Sequence, residues 1–194
     1  GIRDSSTSRG LGDVYKRQVL SHYNAETTLN IEMFNELLLR ANILPIPLAI
    51  AQAAIETGWG TSRFALDGNS LFGQWTWEKG GLTPSRREVG KEHLVKAFKN
   101  LRDSVENYAQ NLNSSAFYNR FRKARLKFIK NDRYVNNASS RLATHLSSYS
   151  QEGEKYVEKI LKIISINNTE NILNITPVWK LIGTTTNLFF KALA

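Results

Sequence analysis

Residues 48–56 read LAIAQAAIE, a run that places apolar side chains on nearly every face of a helix. Such a helix has no face to give to water and is stable only when other elements surround it. Its alanines let those neighbours approach closely. Pro47 suits the first turn, and Gly58 supplies a C-terminal cap. The run ends in Glu56. Burying an unpaired carboxylate is costly, and the negative pole of the helix dipole adds to that cost. Glu56 is therefore protonated, hydrogen-bonded or ion-paired, and Arg63 is close enough in sequence to be the cation. Burial and dipole both push its pKa upward, the property a general acid needs near neutral pH.

Around this helix the chain is organised as one mainly α domain. Ile31, Phe34, Leu37, Leu38 and Ala41 recur at helical spacing, and Pro45 closes the connection that follows. Residues 58–90 change character, with Gly58, Gly60, Gly68, Gly73, Gly80, Gly81 and Gly90 set among Trp59, Phe64, Phe72, Trp75 and Trp77. This loop-rich stretch predicts a small hairpin built from residues 72–77 and 94–98. Helical periodicity returns with Leu101, Val105, Tyr108, Ala109 and Leu112, then with Phe117, Phe121, Ala124 and Phe128. Further helices are predicted over 138–147 and along the stripe Tyr156, Val157, Ile160, Leu161 and Ile164. Residues 1–18 lack apolar periodicity and read as a non-native or disordered segment outside the fold. The catalytic domain is expected over 19–166. Residues 167–194 form an Asn- and Thr-rich extension with short apolar patches near 178–182 and 188–192.

The chain contains no cysteine, which excludes disulfides, thiol nucleophiles and zinc sites built on thiolates. His22, His93 and His145 have no ligand-like spacing, so neither a metal nor a cofactor is expected. No serine stands in a nucleophile elbow, and no glycine-rich phosphate loop follows a strand. A formal net charge of +9 implies attraction to polyanions. Arg120, Arg122, Lys123, Arg125, Lys127, Lys130 and Arg133 interleave with Phe121, Phe128 and Tyr134. Because the aromatics keep core spacing, this is read as a solvated helix face rather than a nucleic-acid site. No apolar run approaches the roughly 20 residues of a membrane span.

AQAAIETGWGTSRFA followed by NSLFGQWTW, from Ala51 to Trp77, resembles the signature of the glucosaminidase family of peptidoglycan hydrolases, nearest to its Bax-like branch. The likeness extends more loosely from about Pro45 to Ile164. It implies a lysozyme-like α+β fold, with a helical body and a small β-hairpin lobe flanking a substrate cleft. Glu56 matches the family's acid, which protonates the β-1,4 linkage between N-acetylglucosamine and N-acetylmuramic acid.

The second catalytic group is expected on the β-lobe, where Glu88 ranks first, ahead of Glu78 and Glu92. The N-acetyl group of the substrate is the alternative. Tyr149 matches the tyrosine that faces the acid, with Tyr156 as its companion on a helix. Tyr156 lies on an apolar stripe, so packing competes with a role in the site. Gln74, Trp75 and Trp77 are expected to touch sugar, Phe72 to form a packed floor, and Asn69 to fix the loop. Peptidoglycan glycan strands are the expected partner, with peripheral attraction to anionic wall polymer or membrane surface. A monomer acting in the periplasm or at the cell surface is expected, after export by a segment this chain does not contain. A lytic transglycosylase and an inactive wall-binding module are the competing readings.

Overall fold

The computed structural model describes residues 18, 21–22, 31–84, 90, 92–130 and 137–174. Helix α1 (Ile31–Arg40) and helix α2 (Ile46–Thr57) come first, then the short α3 (Arg63–Gly68). Two-residue strands β1 (Trp75–Thr76) and β2 (Leu94–Val95) follow. Next come α4 (Leu101–Ser114), a 3-10 turn (Ala116–Tyr118), α5 (Asn119–Lys130) and α6 (Ala138–Ala143). A second 3-10 turn (Ser147–Tyr149), α7 (Glu154–Ile166) and a third turn (Thr169–Asn174) complete the order. The protein is thus mainly helical with a small antiparallel hairpin, the division into body and lobe that the sequence predicts.

Helix α2 is the central helix, as its apolar pattern predicts, but it is not enclosed on every face: Ile46 and Ile50, one turn apart, are 43% and 37% exposed. It packs against α6, α7 and the last 3-10 turn. Leu48 and Ala51 are fully buried and join Leu112, Phe121, Leu142, Leu146 and Ile160 in one core. Each large side chain fully withdrawn from water stabilises the fold by about 1.5–3 kcal/mol. The cap is as predicted: Gly58 takes the left-handed conformation (φ 55°, ψ 52°) and its N–H returns to the Ala54 carbonyl. Elsewhere the helix starts are fixed by side chains. Ser62 Oγ accepts from Ala65 N at 3.2 Å, and Asn100 Oδ1 accepts from Asp103 N at 3.0 Å.

Three sequence expectations are corrected. The helix predicted over 138–147 stops at Ala143, and a separate 3-10 turn carries Ser147–Tyr149. Segment 63–68 forms a helix where a loop was expected, because Ser62 caps it and Asn69 closes it in the left-handed conformation. The basic stretch is not uniformly solvated: Arg122 is 1% exposed and Arg125 is 0% exposed. Arg125 donates to the carbonyls of Leu39, Arg40, Asn42 and Ile43, the open C-terminal end of α1. Arg122 donates to the Leu112 and Ser115 carbonyls at 3.0 and 2.6 Å, closing the end of α4. Both cations complement the negative poles of the helices they close. Burial and the nearby Arg40 lower the Arg122 pKa to about 10, which leaves it charged at neutral pH. Arg120, Lys123 and Lys127 remain exposed. Arg133 and Tyr134, and the side chain of Lys130, lie outside the described residues.

In the lobe, Trp75 pairs with Val95 and Thr76 with Leu94. Leu82 bridges Val95 on the other side, so residues near 82 act as a third short rung. Gly81 is where this rung crosses: a Cβ there would fall 2.7 Å from Leu94 Cβ and 2.9 Å from the Val95 carbonyl. Gly68 plays the same part at the join to the body, where a Cβ would meet Leu82 at 2.7 Å. Phe98 N donates to Gly68 O at 2.8 Å, and Asn69 Nδ2 donates to Phe98 O at 3.1 Å, tying the returning strand to α3. No described helix is long and apolar enough to cross a membrane.

Candidate active site

Glu56 is the penultimate residue of α2, half-buried where the central helix reaches the base of the lobe. Tyr156, on the buried stripe of α7, donates its hydroxyl to Glu56 Oε1 at 2.8 Å. Gln52, one turn earlier on α2, donates through Nε2 to Tyr156 Oη at 3.1 Å. Tyr108 on α4 in turn donates to Gln52 Oε1 at 2.7 Å. These three bonds form one directed chain, Tyr108 to Gln52 to Tyr156 to Glu56, with every proton pointing toward the carboxylate. Tyr108, Gln52 and Tyr156 are each at most 1% exposed.

Aromatic rings wall this chain. Phe72 stacks on Tyr108 at 3.9 Å between centroids and 9° between planes, and Tyr149 stacks on Tyr156 at 5.5 Å and 6°. Tyr118 lies 6.0 Å from Tyr149. The Tyr149 hydroxyl donates to the Phe72 carbonyl at 3.3 Å. Gly73, with φ 60°, brings bare backbone against the acid, since a Cβ there would stand 3.2 Å from Glu56 Oε2. The two carboxyl oxygens therefore differ: Oε1 is held by tyrosine, while Oε2 faces the glycine.

Among the described residues Glu56 has no ion-pair partner. Arg63 is turned elsewhere, donating to Thr83 O at 2.5 Å and lying over the Phe64 ring. Burial raises the Glu56 pKa above 4.5, the Tyr156 hydrogen bond lowers it, the Glu152 carboxylate raises it and Lys159 lowers it. The net direction is upward. Burial likewise raises Tyr108, Tyr149 and Tyr156, so they remain neutral donors at physiological pH.

This arrangement is accompanied by sequence likeness. Residues 31–169 match the glucosaminidase family, described as mannosyl-glycoprotein endo-beta-N-acetylglucosaminidase. The chain belongs to the glucosaminidase family. It is similar to Protein bax of Escherichia coli K12, 36% identical over 123 residues, which are 63% of this chain and 43% of that protein. The chain thus spans less than half the length of this relative. No solved structure matches it. By family the chain is classed with the glycoside hydrolases.

Of the other residues predicted for the site, Phe72 is 4% exposed and forms a packed floor against Tyr108. Asn69 holds the loop through its bond to Phe98. Tyr156 is both packed and hydrogen-bonded to the acid, so its two competing readings hold together. Trp75 and Trp77 are 53% and 74% exposed on the lobe, and Trp75 stacks on His93 at 4.2 Å. Both amide atoms of Gln74 are buried without a hydrogen-bond partner among the described residues. Glu78 and Glu92 are exposed, and Glu88 lies outside the described residues.

Sequence reading missed Gln52, Tyr108 and Glu152. Gln52 had a signal: it is the single uncharged polar residue inside the apolar run and sits four positions before Glu56, on the same helix face. Trp59 occupies the left-handed region (φ 61°) with its indole 61% exposed, a conformation that ordinarily goes to glycine.

Proposed function

We propose that this glucosaminidase is a peptidoglycan hydrolase that cleaves the β-1,4 bond between N-acetylglucosamine and N-acetylmuramic acid, with Glu56 as the general acid. The observation that carries this reading is a carboxyl half-buried among tyrosines, hydrogen-bonded by one of them and, among the described residues, paired with no cation. Such a carboxyl keeps its proton to higher pH than an exposed one, as a general acid must. Oε1 is occupied by Tyr156, so Oε2, beside the bare backbone of Gly73, delivers the proton to the glycosidic oxygen. As the C1–O bond breaks and Glu56 becomes anionic, Tyr156 stabilises the charge.

The opposing group is a lobe carboxylate, with Glu88 first and Glu78 and Glu92 behind it, or the N-acetyl oxygen of the substrate. An inverting pair would stand roughly 6.5–9.5 Å apart and a retaining pair about 5 Å apart. Tyr149 orients substrate or water, Trp75 and Trp77 stack on sugar rings, and Gln74 offers its unpartnered amide to the glycan. The enzyme acts as a monomer in the periplasm or at the cell surface, and its net positive charge favours anionic wall polymer.

Digestion of purified peptidoglycan, read by mass spectrometry, tests this. Wild type should release fragments with a reducing N-acetylglucosamine end, each cleavage adding one water, and Glu56→Gln should leave the wall uncut. Anhydro-sugar products would make the protein a lytic transglycosylase. An uncut wall with wild type would leave only a binding module.

A further inference from the structure

The cations of α5 divide into two sets. Arg122 and Arg125 are buried and committed to helix ends, whereas Arg120, Lys123 and Lys127 are exposed along one stripe. That stripe faces Arg141 on α6 across a groove of about 470 Å³, with Ala124 and Phe128 as its apolar floor and His145 at its margin. Among the described residues no carboxylate pairs with any of these four cations. The Arg141 guanidinium lies 4.8 Å over the Phe128 ring, which holds one cation against the floor. Like charges gathered at helical spacing repel one another, so a concavity that collects them is suited to an anion.

We propose that this groove binds the acidic peptide stems carried by the polymer that Glu56 cleaves, an inference that rests on the peptidoglycan reading above. A cationic rim alone would suit any anion, but the apolar floor selects a ligand that alternates small methyl groups with carboxylates. Peptides of alanine and glutamate type have that chemistry. The volume suits a ligand of several residues rather than a single phosphate. The groove also lies on the chain segment that leads to the acid: His145 is four residues before Tyr149, which stacks on the tyrosine bonded to Glu56. The groove is therefore a specificity site that favours peptide-bearing over naked glycan.

The test compares wild type with a Lys123→Glu/Lys127→Glu double variant, both positions being exposed. Calorimetric titration at low salt uses a synthetic stem peptide, L-Ala-γ-D-Glu-meso-diaminopimelate-D-Ala. Wild type should bind it, and the double variant or raised salt should weaken binding about tenfold or more. On peptide-bearing wall the variant's KM should rise by a similar factor at unchanged kcat, with cleavage of peptide-stripped glycan unaltered. Equal peptide binding by both proteins, or equal loss on both polymers, overturns the proposal. Charge-dependent binding to anionic phospholipid vesicles without peptide binding would do the same and assign the groove to a lipid surface. A wild type that binds the peptide but cuts neither polymer sinks the glycosidase reading and leaves the groove supported. One that cuts both without binding does the reverse.

Discussion

Tyr156 gives its hydroxyl proton to Glu56 and receives one from Gln52, so it stabilises the ionised acid while remaining uncharged itself. Replacing it with phenylalanine removes the one hydrogen bond that lowers the Glu56 pKa and leaves the burial that raises it. With Glu56 as the proposed general acid, activity falls as it deprotonates, so Tyr156→Phe should move the alkaline limb of the kcat profile to higher pH. Its kcat at the optimum should fall by about 10²-fold, the scale of losing one preorganised donor. An unmoved limb would show that the tyrosine is only packing. Trp59 presents a different case. A left-handed non-glycine residue carries strain on the order of 1 kcal/mol or more, and an indole 61% exposed recovers little by packing. Trp59→Gly should leave stability unchanged or raised by up to about 1 kcal/mol in a denaturant titration, while binding to insoluble wall declines. A clear drop in stability would give the indole a structural role instead.

Helix α5 is where burial and charge part company. Its apolar stripe was legible from Phe121, Ala124 and Phe128, but the two arginines between them were not, because their partners are carbonyls and carbonyls have no sequence signature. A helix end that needs a donor can take it from any residue that reaches. Arg125→Ala would remove a guanidinium shared by four carbonyls, of which Arg40 O keeps Asn42 N and Asn42 O keeps Asn113 Nδ2, and with the loss of its packing should cost about 3 kcal/mol in urea unfolding. Lys123→Ala, two positions earlier and exposed, should stay within about 0.5 kcal/mol of wild type. If both cost the same, the capping account fails. The glycines of the lobe were more legible than its strands. The short runs 72–77 and 94–98 flanking the glycine-rich stretch located the hairpin, yet only two residues on each side pair, since the rung at Leu82 takes the remaining edge of Val95.

At the scale of the molecule, a helical body packed around α2 carries a lobe joined through Gly68, Asn69 and Phe98. The body holds the fully buried core, and the lobe exposes Trp75 and Trp77 and relies on few backbone pairs. Hydrogen exchange should therefore protect α2 and α7 by the global stability and release the paired amides of residues 75–76, 82 and 94–95 much earlier. Equal protection of both would mean that the lobe and body unfold as one unit. Gly81→Val, which forces a side chain against Leu94 and the Val95 carbonyl, should abolish wall cleavage while shifting Tm only slightly. The division into body and lobe came with the resemblance of residues 51–77 to the family signature, while the glycine- and aromatic-rich stretch and its hairpin could be read from where periodicity stops. The pairing of Glu56 with Tyr156 could not, because neither residue carries a mark of the other's position.

That pairing spans 100 residues of chain, and the Gln52–Tyr156 bond spans 104. A ribosome making this protein from its N-terminus has finished the acid, its helix and the Tyr108 end of the relay long before it makes the residue that completes them. The hydrogen-bonded relay to Glu56 is consequently incomplete until α7 docks. In refolding from denaturant, the return of activity should coincide with the slowest phase rather than with the earlier gain of helical signal.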